Sequence, residues 1–259
     1  MKRLIVISDL HCGHRAGLTP PGWQYSHDHS DKDVHKFAHV QQQLWSWYEK
    51  TINSLKPIHA LICNGDMIDG PGYKAGGTEQ ITTDINKQVK MASESIGLAE
   101  AKKVRLTYGT PYHTGYSRDD EDQIADAVHG KIGAEDNYEC NGIVFNCKHA
   151  ISRSAVPHGR FTALARAKLW NELWSLREGY PLANVIIRSH VHYFVAAQDA
   201  YAKMFITPAL QLYTKYGTRQ CEGIVNVGLL QFDIEKNGDV MWRPHFMKLN
   251  GLVKKPELL

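Results

Sequence analysis

Aspartate and histidine residues follow three apolar segments of this sequence, in positions where they could bind a metal ion. Asp9 and His11 come after one apolar run, Asp66 after a second, and His190 and His192 after a third. Side chains two residues apart in an extended segment point to the same side, so each pair directs two donor groups at one point. Carboxylate and imidazole ligands without thiolate suit Mn²⁺, Fe or Zn²⁺ better than Mg²⁺. These residues therefore predict a metal site at the ends of strands.

The segments that must position these residues alternate between strand and helix patterns. Short β-branched apolar runs predict buried strands, and apolar residues at helical spacing predict helices. The predicted strands cover 4–9, 60–63, 104–108, 142–149, 185–190, 204–206, 224–234 and 240–242, and the predicted helices cover 34–55, 84–101, 119–129 and 161–178. This alternation, without an internal repeat or a linker, predicts one α/β domain.

The last predicted helix carries an apolar stripe that we expect to face the core. The stripe consists of Leu164, Ala165, Leu169, Leu173 and Leu176. We also expect Trp170 and Trp174 to pack inside the protein rather than to stack on nucleic-acid bases. His158 and Arg160, just before this helix, are interpreted as a surface pair, with contact to a phosphate as the alternative.

Composition limits the classes of protein to consider. The chain has 259 residues, 43% hydrophobic and 22% charged, with a net charge of +3. This predicts a single domain over 1–259, with a loop insertion at about 12–33, and it is not the charge of a dedicated nucleic-acid binder. Five cysteines without a Cys-x-x-Cys pair argue against a disulfide framework. Without a signal sequence or membrane-length apolar run, a cytoplasmic protein without membrane contact is expected.

Five short blocks, taken in order, resemble the calcineurin-like metallophosphoesterases. The blocks are Asp9-Leu10-His11, Gly65-Asp66-Met67-Ile68-Asp69-Gly70, Gly109-Thr110-Pro111-Tyr112-His113, Lys148-His149 and Ser189-His190-Val191-His192. The resemblance implies an α/β fold of two facing mixed β-sheets flanked by helices, a four-layer α/β/β/α sandwich. It also implies that loops at one end of the sandwich hold the metals.

The same resemblance implies a dinuclear phosphoesterase. Two divalent ions are expected, with manganese favoured and iron or zinc as alternatives. The implied ligands are Asp9, His11 and His192 for the first ion, Asp66 as the bridge, and His149 and His190 for the second ion. A bridging hydroxide would attack the phosphorus of a phosphomonoester or phosphodiester. His113 matches the family's non-ligand histidine, which contacts the phosphate and can protonate the leaving oxygen.

The third block departs from the family pattern. The family has asparagine directly after the glycine, whereas this chain has Thr110, then Pro111 and Tyr112 before His113. Thr110, Tyr112 or a water could take the place of that asparagine, as an uncertain metal ligand or as a substrate-binding group.

The sequence does not select one substrate. The family includes phosphatases, phosphodiesterases and nucleases, so a metal-dependent DNA nuclease is the first alternative function. No basic run of the kind that follows a phosphate backbone is visible, so nucleic acid is not indicated by charge. The second alternative is a non-catalytic scaffold that binds metal. The oligomeric state stays open.

Overall fold

The structure is a computed structural model, which describes residues 1–249 except 28–29, 74–75, 116–118, 215–217 and 219–224. Its strands are β1 Lys2–Ile7, β2 Ala60–Asn64, β3 Val104–Thr107, β4 Lys131–Gly133, β5 Glu135–Cys140, β6 Ile143–Lys148, β7 Val185–Arg188, β8 Val195–Gln198, β9 Lys203–Ile206, β10 Gly228–Ile234 and β11 Val240–Phe246. Its helices are α1 Lys32–Leu55, α2 Ile85–Gly97, α3 Pro111–Thr114, α4 Glu121–Ala127 and α5 Gly159–Glu178.

Six strands form the first sheet, in the order β11-β10-β1-β2-β3-β4. Strands β1 to β4 run parallel, whereas β10 and β11 are antiparallel to their neighbours. Each parallel connection passes through a helix, because a short hairpin cannot join two parallel strands. The carboxyl ends of β1, β2 and β3 therefore lie side by side at one edge of this sheet.

Five strands form the second sheet, in the order β5-β6-β7-β9-β8. Strands β6, β7 and β9 run parallel, and β5 and β8 pair antiparallel at the two edges. Both sheets are therefore mixed, as expected. The carboxyl ends of β6 and β7 are neighbours, and each carries candidate metal ligands just beyond it.

Apolar side chains fill the spaces between four layers. In β1, Ile5 and Ile7 pack towards α1 and α2, whereas Leu4 and Val6 pack against the second sheet. This burial on both faces explains why β1 is a continuous apolar run. A third cluster, which includes Leu164, lies between α5 and the second sheet. The predicted four-layer α/β/β/α arrangement is confirmed.

The sequence patterns missed some elements and misplaced one face. Strands β4, β5 and β8 and the short helix α3 were not predicted. The predicted stripe on α5 is wrong at three positions, because Ala165 is exposed and Leu169 and Leu176 are 55% and 84% exposed. Small residues on α5 face the sheet instead, so that the helix approaches closely through Leu164 and its neighbours. No helix in the described ranges is long and apolar enough to span a membrane.

The segment after β1 packs against the first sheet's core. Cys12, Ala16 and Leu18 are buried there, although the sequence suggested a polar loop. Farther along, Trp23 packs on the same core and its indole N–H donates to Glu94 in α2 at 3.3 Å. These contacts attach the segment to the body of the protein.

Candidate metal centre

Six candidate ligands lie just beyond the carboxyl ends of four strands. Asp9 and His11 follow β1, Asp66 follows β2, His149 follows β6, and His190 and His192 follow β7. All six come together at one edge of the sandwich, in two groups of three. Within each group, one donor atom per residue lies within 4.8 Å of the other two.

The first group contains Asp9, His11 and His192. The Nε2 atom of His192 lies 3.3 Å from Oδ1 of Asp9 and 3.2 Å from Nε2 of His11. Asp9 and His11 are buried, whereas the His192 side chain is 22% exposed. This group therefore has one side open towards solvent.

The second group contains Asp66, His149 and His190. Oδ2 of Asp66 lies 3.0 Å from Nε2 of His149 and 3.9 Å from Nδ1 of His190. The same oxygen lies 4.0 Å from Nε2 of His11, which belongs to the first group. Asp66 is thus placed between the two groups, and its side chain is only 2% exposed.

Hydrogen bonds fix the tautomers of two candidate ligands. Nδ1 of His149 lies 2.7 Å from the carbonyl oxygen of Asn64, which can only accept, so Nδ1 carries the proton. Nδ1 of His11 lies 2.8 Å from the Asp69 carboxylate in the same manner. When His11 and His149 are neutral, Nε2 of each ring carries a lone pair. This lone pair points at a donor atom of another candidate ligand. Such partners on the second ring nitrogen are typical of metal-binding histidines.

The donor set fits a divalent cation. Oδ1 of Asp9 is buried without a hydrogen-bond partner in the described part of the chain. Buried carboxylate oxygens normally accept a hydrogen bond, so this unpaired oxygen, 3.3 Å from Nε2 of His192, is a suitable ligand for a cation. Carboxylate oxygens and imidazole nitrogens, without sulfur, suit Mn²⁺, Fe or Zn²⁺.

The backbone at these ligands adopts an uncommon conformation. Asp9, His11, Asp66, His190 and His192 have φ between +45° and +76°. Non-glycine residues rarely adopt this left-handed region, and each instance costs about 1–3 kcal/mol. The strand-end loops thus hold strain at five of the six candidate ligands.

The buried groups of the site differ in their pKa values and therefore in their charge at pH 7. Burial lowers the pKa of His11 to about 4, so His11 is a neutral imidazole at pH 7. Burial disfavours the charged form of His149, but the Asp66 carboxylate outweighs this and raises the pKa of His149 to about 10. Burial likewise opposes ionisation of Asp9, yet His192 lowers the pKa of Asp9 to about 2. The carboxylates of Asp9 and Asp66 are therefore ionised and attract positive charge.

Buried polar residues outside the predicted set tie the loops together. The side-chain amide of Asn64, at the end of β2, donates to the Lys148 carbonyl at 3.1 Å and to the Ser189 hydroxyl at 2.6 Å. Its Oδ1 accepts from the Thr107 hydroxyl at 2.9 Å. Asn64 therefore connects the ends of β2, β3, β6 and β7. Its place directly before the Gly-Asp block was the available sequence signal.

Glu121 bridges the loops that follow β2 and β3. Its two carboxylate oxygens accept from the backbone N–H groups of Met67 and Gly109, each at 2.7 Å. Complete burial, with the Asp66 charge nearby, raises the pKa of Glu121 to about 8. Sequence reasoning missed Glu121, because nothing in its local pattern distinguishes it from a helix-start glutamate.

Gly109 permits close approach of these two loops. A Cβ atom built on Gly109 would overlap Oδ1 and the backbone nitrogen of Asp66. The next residue, Thr110, donates its backbone N–H to the same Oδ1 at 2.6 Å. The absence of a side chain at position 109 thus allows the loop after β3 to hold the Asp66 carboxylate.

The third block places Thr110, and not Tyr112, beside the second group. The Thr110 hydroxyl oxygen lies 3.1 Å from Nδ1 of His190 and 3.3 Å from Oδ2 of Asp66. Tyr112 instead packs its ring against His113, with centroids 4.7 Å apart. Between Thr110 and Tyr112, the geometry favours Thr110 for the place of the missing asparagine.

His113 lies beside the first group without joining it. Its Nδ1 lies 2.9 Å from the Asp69 carbonyl oxygen and so carries a proton. Its ring meets that of His11 edge-on, with centroids 4.6 Å apart, and its side chain is 19% exposed. Asp69, whose carboxylate holds His11, was quoted in the sequence block but not predicted as a site residue.

Comparison with known proteins supports the fold. No family model matches the chain, and no curated protein is similar to it in sequence. An archaeal phosphodiesterase is similar in structure, with a TM-score of 0.51, 12% identity, and 95% of this chain and 99% of that chain covered. A Vps29 variant from Entamoeba histolytica has a TM-score of 0.50, 10% identity, and the same 95% and 99% coverage. The expected fold of two facing mixed β-sheets flanked by helices is therefore confirmed.

Proposed function

We propose that this protein is a metal-dependent phosphoesterase that hydrolyses a phosphomonoester or a phosphodiester. The observation that carries this proposal is the pair of Asp/His groups around Asp66, with donor atoms directed into one space. Phosphodiester hydrolysis is the activity named for the archaeal protein of similar fold. Diesters are therefore the first substrates to test.

In this proposal, Asp9, His11 and His192 would hold one divalent ion, His149 and His190 would hold a second, and Asp66 would be shared by both. When bound, such ions supply a nucleophile at neutral pH and offset the negative charge of a phosphoryl group. Manganese is proposed, with iron and zinc as the alternatives, because the ligands are nitrogen and oxygen only.

The remaining groups orient substrate and protons. The Nδ1–H of His113 donates a hydrogen bond to the Asp69 carbonyl oxygen, so Nε2 is the ring atom through which His113 would exchange a proton with a leaving oxygen. The Thr110 hydroxyl donates to Oδ2 of Asp66 at 3.3 Å and lies beside His190, so it could turn its proton to a phosphate oxygen that approaches the second group. Positioned proton transfer of this kind typically contributes about 10²–10⁴-fold to the rate.

The test begins with metal-free protein. Calorimetric titration with Mn²⁺ should give two ions per chain, as the proposal requires, and turnover should then be measured on bis-p-nitrophenyl phosphate, p-nitrophenyl phosphate and single-stranded DNA. A ratio of bound ions to protein chains that stays at one in excess Mn²⁺ contradicts the two-ion arrangement. Two bound ions without turnover of any phosphoester would contradict the enzyme and favour the non-catalytic scaffold.

A matched pair of variants separates ligand loss from backbone effects. His192 and His129 are both histidines with left-handed backbone, at φ +56° and +51°, and His129 is exposed on the α4–β4 connection. Asparagine tolerates this conformation. His192→Asn should lose metal affinity and turnover, whereas His129→Asn should keep both. Equal behaviour of the two variants would remove His192 from the site.

A further inference from the structure

A groove of about 520 Å³ lies between α5 and the outer face of β5 and β6. Phe145 and Cys147 of β6 point towards the first sheet, so alternation puts Asn146 and Lys148 on the opposite, outer face. Helix α5 covers β7 to β9 through its own apolar cluster and leaves this outer face open. The groove is therefore bounded by a polar sheet face and by one side of α5.

Two tryptophans form the helix side of the groove. Trp170 and Trp174 are 53% and 49% exposed, and their rings lie nearly parallel, at 22°, with centroids 6.2 Å apart. The expectation that these residues pack in the interior is wrong. Each presents about half of its surface to solvent, which is costly unless a ligand covers it.

The groove has a small excess of positive charge. Lys148, Arg166 and Arg188 line it together with two carboxylates, Glu135 and Glu178. Arg166 lines the groove and donates to the Ser152 hydroxyl at 2.5 Å, and no ion pair with a carboxylate is found for it in the described ranges. The nearby carboxylate of Glu135 is already shared by Lys148 at 2.9 Å and Arg188 at 3.8 Å.

The groove and the candidate metal centre share their supporting strands. Lys148 lines the groove, and the next residue, His149, belongs to the second ligand group. Arg188 also lines the groove, and His190 of the same group follows two residues later. Consecutive Cα atoms are about 3.8 Å apart, so the end of the groove at Lys148 and Arg188 lies within one or two residues of these candidate metal ligands.

We infer that this groove binds single-stranded nucleic acid and leads it to the metal centre. Exposed aromatic rings stack on unpaired bases, and unneutralised arginine attracts the phosphate backbone. A duplex hides its base faces, so a single strand is the form that both features recognise. This inference names the substrate class of the proposed phosphoesterase and rests on that function for its chemistry, whereas binding itself requires no metal.

Binding is measured by fluorescence anisotropy in EDTA, so that no strand is cut. The probe is a labelled oligothymidine of roughly 20 nucleotides, longer than the ~4–16 nucleotide sites typical of single-strand binders. The wild-type protein should bind it more tightly than a duplex of equal length, with affinity that falls as salt rises. Trp170→Ala should weaken binding roughly 5- to 150-fold, the range seen when one stacked base loses its partner.

Arg166→Gln should weaken binding and reduce the slope of log affinity against log salt by about 0.7, the value for one phosphate contact on a single strand. Tyr201→Ala and Lys236→Gln are the matched controls, because Tyr201 is 81% exposed and Lys236 is exposed, both away from the groove. Both controls should bind as the wild type does. Melting temperatures of all four variants check that each is folded.

Absence of strand binding by the wild type, or equal binding by groove and control variants, would overturn the inference. If the wild-type protein hydrolyses bis-p-nitrophenyl phosphate but binds no strand, only the role of the groove in nucleic-acid binding is overturned. Strand binding through Trp170 and Arg166 without turnover of any phosphoester would support the groove and contradict the phosphoesterase. The two proposals therefore fail in distinguishable ways.

Discussion

Gly109→Ala tests whether close approach of two loops sets the position of Asp66. The added Cβ would overlap Oδ1 and the backbone nitrogen of Asp66, well inside the 3.0 Å that real Cβ atoms keep from other atoms. Gly109 does not have left-handed φ, so the substitution introduces a steric effect rather than backbone strain. One of the two loops must therefore move.

The magnitude follows from the contacts that the movement breaks. Overpacking by one methyl group costs about 1–3 kcal/mol, which is a fall in melting temperature of roughly 2–12 °C for a chain of this size. The hydrogen bond from the Thr110 backbone to Asp66, now 2.6 Å, lengthens or breaks. Loss of such support for a metal ligand typically costs about 10–100-fold in metal affinity or activity.

The assay combines calorimetric titration with Mn²⁺, thermal unfolding without metal, and turnover of bis-p-nitrophenyl phosphate. Gly97→Ala is the matched control, because Gly97 ends α2 and a Cβ there would meet nothing within 4 Å. This control should keep metal affinity and gain up to about 1 kcal/mol of stability. Wild-type metal affinity and turnover in Gly109→Ala would refute the loop geometry and the role of Asp66 that depends on it.

Three further predictions concern the site, the first sheet and the segment after β1. Asp66→Asn should abolish turnover more completely than His113→Ala, whose loss should be roughly 10²–10⁴-fold; wild-type turnover in Asp66→Asn would make Asp66 a turn residue only. Arg3 outweighs burial and keeps the pKa of Asp233 below its usual range, so this pair stabilises the fold above the unfolded pKa of ~3.9 and less as pH falls. Asp233→Asn should therefore lower the free energy of unfolding by about 1 kcal/mol at pH 7, with a difference that vanishes in chemical denaturation below the folded pKa. Trp23→Ala combined with Tyr25→Ala should lower the melting temperature and slow small and large substrates by the same factor, because both side chains contact the body of the protein. A higher KM for large substrates alone would instead identify these aromatics as specificity residues.

Much of the fold follows from local sequence patterns. Runs such as 61–63 are apolar at every position because a parallel strand is buried on both faces, and this pattern is visible from the sequence of one strand alone. The strands and the Asp and His residues just beyond them therefore predicted that the ligands meet at strand ends, whereas the two-sheet sandwich was implied by the family resemblance of the five blocks. Strands β5 and β8 were missed, because at sheet edges their side chains stay partly exposed and do not form apolar runs.

Only the tertiary structure decided which residues support the ligands. Glu121 lies 54 positions from Met67 along the chain, and Asn64 lies 125 positions from Ser189. Such pairs have no sequence period, because they arise where the ends of different strands meet. The choice of Thr110 over Tyr112 has the same origin, since both follow β3 closely and only the path of the loop brings one of them to Asp66.

The face of α5 that packs on the second sheet was also determined by the tertiary structure. Leucines at helical spacing predict a buried stripe, but Leu169 and Leu176 lie in solvent. Burial depends on which side of the helix finds a partner, and the second sheet meets the side that carries Ala163 and Leu164. Residue types and their spacing determined which elements form and which side chains can bind metal, whereas the packing of layers determined which faces remain open.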